Sequence, residues 1–373
     1  MINPHRLLAI SRKEVIQLRR DTRSLILAFL LPVVLLVIFA YGISWDVNEV
    51  TTAVVDQNGS AQSRALVDAF RSSGYFDIRE WPARAADVDP LIDRGRVQLA
   101  LVIPPDLSAD LAAGRPARVQ ALVDGSDANT ATIVLGYTQA VVLSYAAGAA
   151  SEAGARLAAP VQLESRVWYN EELVSRNMIV PGLVAVIMMI IAAMLTSLTI
   201  AREWERGTME QLASTPVHRV EVVLGKLLPY LVIGLVDVLI TTALGVWLFG
   251  VPFRGHLMYL MGASTLFLIG ALGLGLFISA ATRSQLLATQ LAMVVTFLPA
   301  FLLSGFMYAI EGMPPGMRAV TLLVPARYFV VVTRGVFLKG SGVSALWEQG
   351  LLMLAFAAIG LVLSTRVFRK EIA

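Results

Sequence analysis

The sequence predicts an α-helical integral membrane protein with six transmembrane helices, an external α/β domain between spans one and two, and an N-terminal interfacial amphipathic helix. Three observations carry this. Of 373 residues, 57% are hydrophobic and only 15% charged, with a mean hydropathy of +0.70; an ordinary soluble domain is about half apolar and a quarter charged. Apolar runs of about 20 residues recur, the length that a hydrocarbon core roughly 30 Å thick demands of a helix. Between the first and second of these runs, residues 45–177 change character, with frequent charges and turn residues punctuating short apolar stretches.

Taken in order, residues 1–23 open the chain with HRLLAISRKEVIQLRRDTRS. At 100° per residue, Leu7, Leu8, Ile10, Val15 and Leu18 share one face, and Arg12, Lys13, Arg19, Arg20 and Arg23 occupy the other. This is the pattern of a helix lying in a membrane interface, with its basic side toward anionic headgroups. Residues 24–44 are the first span, too long in its apolar part to be a cleaved signal peptide. In residues 45–177, TTAVVD, the Asn58-Gly59 turn, SAQSRALVDAFRSSG and YFDIREW read as strand, helix and strand. VQLALVIP and ARVQALVDG are further strands around a short helix, PPDLSADLAAG, and VQLESRVWYN returns the chain to the membrane as a last strand. The uncharged run Thr130–Ser151 is long enough to span. Its alanine-rich composition, diluted by Gln139, two tyrosines and small residues, instead predicts a long helix of the external domain, capped near Ser126 or Asp127.

Residues 178–373 hold the remaining spans, near 178–200, 227–250, 257–281, 286–307 and 345–365. The segment 308–344, interrupted by Pro325, Arg327 and Arg334, reads as re-entrant or interfacial on the outer side. Arginines and lysines cluster in the N-terminal tail, in residues 201–226, at Arg283 and in the C-terminal tail. That asymmetry predicts both termini in the cytoplasm and residues 45–177 outside.

Composition also excludes. A net charge of +3 gives no case for nucleic acid, and the absence of cysteine rules out disulfides and thiolate chemistry. The three histidines fall in unrelated segments, so no metal site is expected. There is no G-x-x-x-x-G-K-[ST] phosphate loop: Gly225-Lys226 lacks the upstream glycine and the following hydroxyl. No catalytic grouping stands out. The one plain intramembrane acid is Asp237; acids at that depth face a bundle interior or an aqueous cavity, so Asp237 either lines a path or holds its helix in place. Glu311, beyond the fifth span, is a candidate exit gate or a solvated surface acid.

The stretch AREWERGTMEQLASTPVHRVEVVLGK, residues 201–226, is the most charged and most clearly helix-signalled loop of its side. The second span runs on through Glu205 and Arg206 to Gly207, which can close it in a left-handed cap. Thr208 and Gln211 have capping-box spacing. A short helix of about Met209 to Ser214, exposing Met209, Leu212 and Ala213, ends before Pro216. Such a helix suits a groove on another protein, or it is an elbow that merely reverses the chain.

The string REWERGTMEQLASTPVHRVEVVLGKLLPY resembles the signature of the ABC-2 type permeases, the membrane subunits of a class of ATP-binding-cassette exporters. RKEVIQLRRD, AVVDQNGSAQSRALV, LVDGSDANTAT, VWYNEELVSRNMIVPGL and LLSGFMYAIEGMPPGMRAVTLLVPARYFVVVTRGVFLKG resemble further segments of that family, over nearly the whole chain. The bacterial drug-efflux-type permeases with a large external domain are the most similar subgroup. The resemblance implies that Glu203, Glu205, Arg206, Gly207, Thr208, Glu210, Gln211, Leu212 and Pro216 belong to the region that couples a separate ATPase subunit to the spans. Trp204 departs from the commonest pattern, in which lysine is frequent. The implied partners are an ABC ATPase subunit carrying ATP and Mg, a second permease copy or paralogue, membrane lipid and a periplasmic membrane-fusion adaptor. The implied location is the bacterial inner membrane and the implied cargo amphipathic drugs. A lipid or polysaccharide-precursor exporter is the alternative within the class; an ion-coupled transporter and a membrane sensor are the alternatives outside it.

Overall fold

The computed structural model describes residues 3–42, 49–126, 128–152, 169 and 174–368. They form two compact units: residues 45–166, and residues 1–44 with 167–373. The predicted return strand at 161–170 and the predicted cap at Asp127 lie outside the described residues.

The first unit is α/β. Strands β1 (Val50–Asp56), β2 (Phe76–Glu80), β3 (Leu99–Ile103) and β4 (Gln120–Val123) make one sheet in the order β2-β1-β3-β4. β1 runs parallel to β2 and β3, and β4 antiparallel to β3. Because side chains alternate across a strand, Val54, Leu99, Leu101 and Ile103 fall on one face, with α3 (Ala61–Ser72), α5 (Leu107–Ala112) and α6 (Ala128–Glu152). Ala53, Val55, Ala100 and Val102 fall on the other, against Val88 and the region of α4 (Asp89–Asp93). Both faces are covered, which is why the central strands read as nearly continuous apolar runs. The β1–α3 turn is pinned by Asp56: Oδ1 accepts from the amides of Asn58 and Gly59 at 3.0 Å each, and Oδ2 from the Ser63 hydroxyl at 2.7 Å. Burial pushes the Asp56 carboxyl up, but these hydrogen bonds hold it below the usual carboxylate range.

α6 is long and apolar enough to cross a membrane by length and composition. Its contacts place it in the α/β unit instead. Val134, Thr138 and Val141 are buried, Tyr137 stacks on Tyr75 at 4.2 Å, and Tyr145 donates to the Gln62 carbonyl at 3.0 Å.

The second unit is helical: α1 (Pro4–Arg20), α2 (Thr22–Gly42), α7 (Ser175–Glu205), α8 (Met209–Ala213), α9 (Arg219–Trp247), α10 (Leu257–Thr282), α11 (Gln285–Leu302), α12 (Pro315–Thr321), α13 (Pro325–Arg334) and α14 (Trp347–Val367). Besides α6, six helices here are long and apolar enough to span: α2, α7, α9, α10, α11 and α14. α7 is the hub. Nearly every residue from Ile179 to Ala193 is buried, and α2, α9, α10, α11 and α13 all pack on it. A helix apolar all round belongs inside a bundle. The surrounding helices turn apolar residues outward, among them Ile26, Leu30 and Ile38 on α2, Leu286 and Val294 on α11, and Leu351 and Ile359 on α14. In water such surfaces would aggregate; against hydrocarbon they cost nothing.

Small residues permit the closest crossings. A Cβ on Gly275 would sit 2.1 Å from Thr196 Oγ1 of α7, and one on Gly270 would sit 2.2 Å from the Phe356 ring of α14. The segment expected to be re-entrant is bent: α12 and the helix from Pro325 through a π-helical turn at Gly335–Lys339 meet at 80°. Arg334 turns inward there, donating to the carbonyls of Met178, Gly305 and Phe306 at 3.3, 3.0 and 3.2 Å.

Candidate functional site

α7 continues as helix beyond its apolar stretch and ends in a cap of the expected kind. Gly207 has φ +69, its N–H donates to the Trp204 carbonyl at 3.2 Å, and the Thr208 N–H donates to the Glu203 carbonyl at 3.1 Å. These are the two reversed bonds of a Schellman motif. The capping box expected at Thr208 is not what forms: its hydroxyl points back and donates to the Glu203 carbonyl at 3.4 Å. The Glu203 carbonyl thus accepts from both the backbone N–H and the hydroxyl of Thr208. α8 follows as one short helix at Met209–Ala213. Met209 is buried, against the expectation of an exposed side chain; it anchors α8 to the body of the unit. Glu205, Arg206, Gly207, Glu210, Gln211 and Pro216 are exposed, and Thr208 is half-buried. The backbone places Leu212 within α8.

Glu203 differs from the rest of the predicted set. It is buried, and its Oε1 accepts from Lys13 Nζ at 2.6 Å and lies 3.1 Å from Lys226 Nζ. Lys226 is itself buried, and its ammonium sits 2.6 Å from Glu14 Oε1 of α1, also buried. Four residues from three helices thus share one ionic knot. Glu203 cannot reach a partner across the surface without breaking it.

Neighbouring residues of α7 are tied in the same way. Arg202 pairs with Asp21 at 2.8 Å. Burial pushes the Asp21 carboxyl up, but hydrogen bonds from Ser24 and Arg202 outweigh this and hold it below its ordinary range. The Arg283 guanidinium lies 4.5 Å from the centroid of the Trp204 ring, a cation–π contact at the left-handed turn (φ +54) joining α10 to α11. Glu205 accepts from the Gln285 backbone N–H at 2.7 Å and from the Gln285 side-chain amide. The position where lysine was the commoner expectation therefore uses its indole to receive a cation.

α1 is held to this site along its length, which the sequence pattern did not suggest. Asn3 N donates to Glu221 Oε1 at 2.6 Å, Ser11 donates to the Gly225 carbonyl at 2.8 Å, and Arg6 donates to the Pro216 carbonyl just beyond α8. Gly225 is needed for this approach, since a Cβ there would sit 2.8 Å from Ile10 Cβ. Of the predicted apolar face, Leu7, Ile10 and Leu18 turn toward the protein, and Leu8 and Val15 remain exposed. The missed residues, Glu14 and Lys226, left a signal. Glu14 falls at the angular position of the apolar face, and Lys226 stands immediately before an apolar run; either placement asks for an opposite charge.

The two candidates for a path or gate are apart from this site. Asp237 is buried, with Oδ2 lacking a hydrogen-bond partner among the described residues. Glu311 is exposed in a 3-10 turn at Ile310–Gly312, where its backbone carbonyl accepts from Arg318 at 2.6 Å.

The chain thus has several bilayer-length helices, an α/β insertion after the first, and a short capped helix projecting after the central one. Known proteins share this sequence nearly end to end. The chain is 37% identical to the probable multidrug ABC transporter permease YbhS of Escherichia coli over 364 residues, 96% of each chain. It is 28% identical to the probable multidrug ABC transporter permease YbhR of the same organism, covering 99% of each. With the inner membrane transport permease YhhJ of Escherichia coli it shares 27% identity over 88% of this chain and 87% of that one. The sequence model described as ABC-2 family transporter protein matches residues 23–366. This chain belongs to the ABC-2 family, as a multi-pass membrane permease of the ABC transporter class.

Proposed function

We propose that the chain is the permease subunit of an ATP-driven exporter in the bacterial inner membrane, with six spans, cytoplasmic termini and the α/β unit outside. α8 and the exposed rim around it dock on a separate ATPase subunit that carries the ATP and Mg. A second permease, identical or paralogous, completes the export route. The proposed cargo is amphipathic small molecules, a reading supported by the YbhS and YbhR relatives being named probable multidrug permeases, with a periplasmic adaptor as a further candidate partner.

The observation that carries this reading is the build of α8. A helix of five residues has little stability of its own. Here it is fixed by the Schellman cap at Gly207 and by buried Met209; it presents Glu210 and Gln211 outward, beside exposed Glu205 and Arg206 at the end of α7. An exposed helix held that firmly is suited to receive a push. Closure of the ATPases on ATP would move α8, and α7 would carry the displacement into the bundle core. Within this scheme Glu203 holds the frame, and Glu205, Arg206, Thr208, Glu210, Gln211, Leu212 and Pro216 form the contact region around the Gly207 bend. Asp237 and Glu311 are the acids assigned to the route or its gate.

The test is co-purification with a candidate ABC ATPase subunit, then drug-stimulated ATP hydrolysis in liposomes. Glu210→Arg and Gly207→Val should abolish stimulation while assembly is retained. Unaltered turnover in both would refute the coupling assignment, and transport by the purified chain alone would refute the division of labour. Wild-type transport in Asp237→Asn would remove Asp237 from the route and leave it holding α9 in the bundle.

A further inference from the structure

A cleft of about 760 Å³ lies beside the end of α7, and of its lining the coupling scheme uses only Arg206. Its walls come from α1 (Lys13, Ile16, Arg20), the start of α2 (Asp21, Leu27), the end of α7 (Leu198, Arg202, Arg206) and the first residue of α11, Gln285. Four cations and one acid line it. Two of the cations are already satisfied, Lys13 by Glu203 and Arg202 by Asp21. Glu205, at the rim, spends its carboxylate on the Gln285 amides. Arg20 and Arg206 are both exposed and have no carboxylate within ion-pair distance among the described residues. The cleft therefore holds an uncompensated pair of guanidinium groups, the side chain best matched to a phosphate diester.

The floor and the exit of the cleft identify the rest of the occupant. Ile16, Leu27 and Leu198 make its apolar wall. Leu27 begins a helical stripe along α2, continued by exposed Leu30, Val34 and Ile38, spaced three or four residues apart as one face requires. α11, which also packs on α7, turns Leu287, Leu291 and Val294 outward. A free phosphate has no use for such a track, and an acidic loop of a protein would have to leave its apolar part in hydrocarbon. We propose that this cleft is a binding site for one anionic phospholipid: Arg20 and Arg206 hold the phosphate, and the acyl chains lie along the α2 stripe. The site shares Arg206 with the proposed ATPase contact region but otherwise requires only that α2 cross a membrane. It also gives the basic side of α1 a definite ligand in place of a diffuse attraction to the surface.

The full-length chain, delipidated in mild detergent, is titrated with phosphatidylglycerol and with phosphatidylcholine of identical acyl chains, and bound lipid is counted by native mass spectrometry. The wild type should retain phosphatidylglycerol preferentially. Arg20→Gln with Arg206→Gln should lower that preference by about tenfold or more, given roughly 1 kcal/mol of attraction per basic residue at a membrane surface. Arg318→Gln, at the segment following α11, should leave it unchanged. Lysine at both positions should restore part of it, and similar melting temperatures for all variants exclude misfolding. Glycerol 3-phosphate at millimolar concentration should fail to displace the lipid.

Equal retention of the two lipids by the wild type, or an unchanged preference in the double glutamine variant, would overturn the proposal. Displacement by glycerol 3-phosphate at the concentration of the lipid would reduce the site to one for small phosphate esters. Loss of ATPase co-purification in the variant with lipid preference intact would assign the two arginines to the protein partner. In contrast, loss of lipid preference with α8 variants still uncoupled supports both readings.

Discussion

Lys226→Met strikes the ionic knot where it is least shielded from consequence. Lys226 retains 2% side-chain exposure and Glu14 retains 3%, so neither charge is screened by solvent in the folded protein. With the ammonium removed, Glu203 keeps Lys13 at 2.6 Å, and Glu14 loses its 2.6 Å partner. Stranding one member of a buried pair costs about 3–5 kcal/mol. The penalty falls on the docking of α1 against α9, because Glu14 is relieved when α1 lifts away. At about 1.4 kcal/mol per decade, the open population of α1 should rise between a hundred and a few thousandfold. Tryptic cleavage at Arg12, Lys13, Arg19 and Arg20 reads this directly, since helical backbone is cut only after opening and the rate follows the open population. Cleavage at Arg64 and Arg71 of α3 serves as the internal reference. Glu14→Gln in the Lys226→Met background removes the stranded charge and should recover most of the loss, giving strong non-additivity. Cleavage of the single variant within about twofold of wild type, or a double variant as open as the sum of the singles, would refute the account.

Three further outcomes follow from other parts of the fold. Gly207 is left-handed, and a Cβ added there would meet nothing within 4 Å, so its substitution carries a purely conformational cost of about 1–2 kcal/mol; stimulated ATP hydrolysis should fall in the order asparagine, alanine, valine. Gly275→Leu meets Thr196 Oγ1 at 2.1 Å and the Ala193 carbonyl at 2.4 Å, and overpacking of that kind costs about 1–3 kcal/mol or more; the melting temperature in detergent should drop by several degrees, whereas Gly262→Ala, in open space, should not shift it. Asp56 has a carboxyl held below its usual range, so its hydrogen bonds stabilise the α/β unit above the unfolded-state value near 4 and lose that contribution as pH falls through the lower folded value. The stability gap between wild type and Asp56→Ala should therefore be full at about pH 6–7 and shrink progressively below about pH 4; a gap independent of pH would discard the charged acceptor.

What was legible in the sequence was local. The Gly207 cap and the stop before Pro216 are each decided within one helical turn, and the structure has both in place. The strands were legible as short apolar runs bounded by turn residues. The bond that Thr208 makes was not, because its hydroxyl can either accept from the Gln211 amide N–H or donate to a carbonyl of the preceding turn, and spacing alone does not choose between them. Nor was the burial of Met209, because a five-residue helix has no periodicity long enough to show which side faces inward. The Glu14–Lys226 pair spans 212 positions, and no pattern within either segment names the other. α6 illustrates the converse problem: its hydropathy alone admits a span, and only the contacts of Val134, Tyr137 and Tyr145 tie it to the sheet.

The end of α7 shows why so charged a segment stands at that point of an apolar chain. Successive residues of a helix are turned by 100°, so four in a row face around the whole circumference. Arg202 reaches Asp21 before α2, Glu203 reaches α1 and α9, Trp204 receives Arg283 from the end of α10, and Glu205 holds the first residue of α11. Each residue grips a different helix, and α8 hangs from the last turn. In the proposed coupling, a displacement of α8 would be shared among five helices rather than absorbed by one slack contact. The consequence is graded: loss of Trp204 or Glu205 leaves three grips and should weaken transmission without ending it. Glu203 stands apart, because its removal takes a partner from Lys13 of α1 and from Lys226 of α9 at once, leaving Lys226 with Glu14 alone.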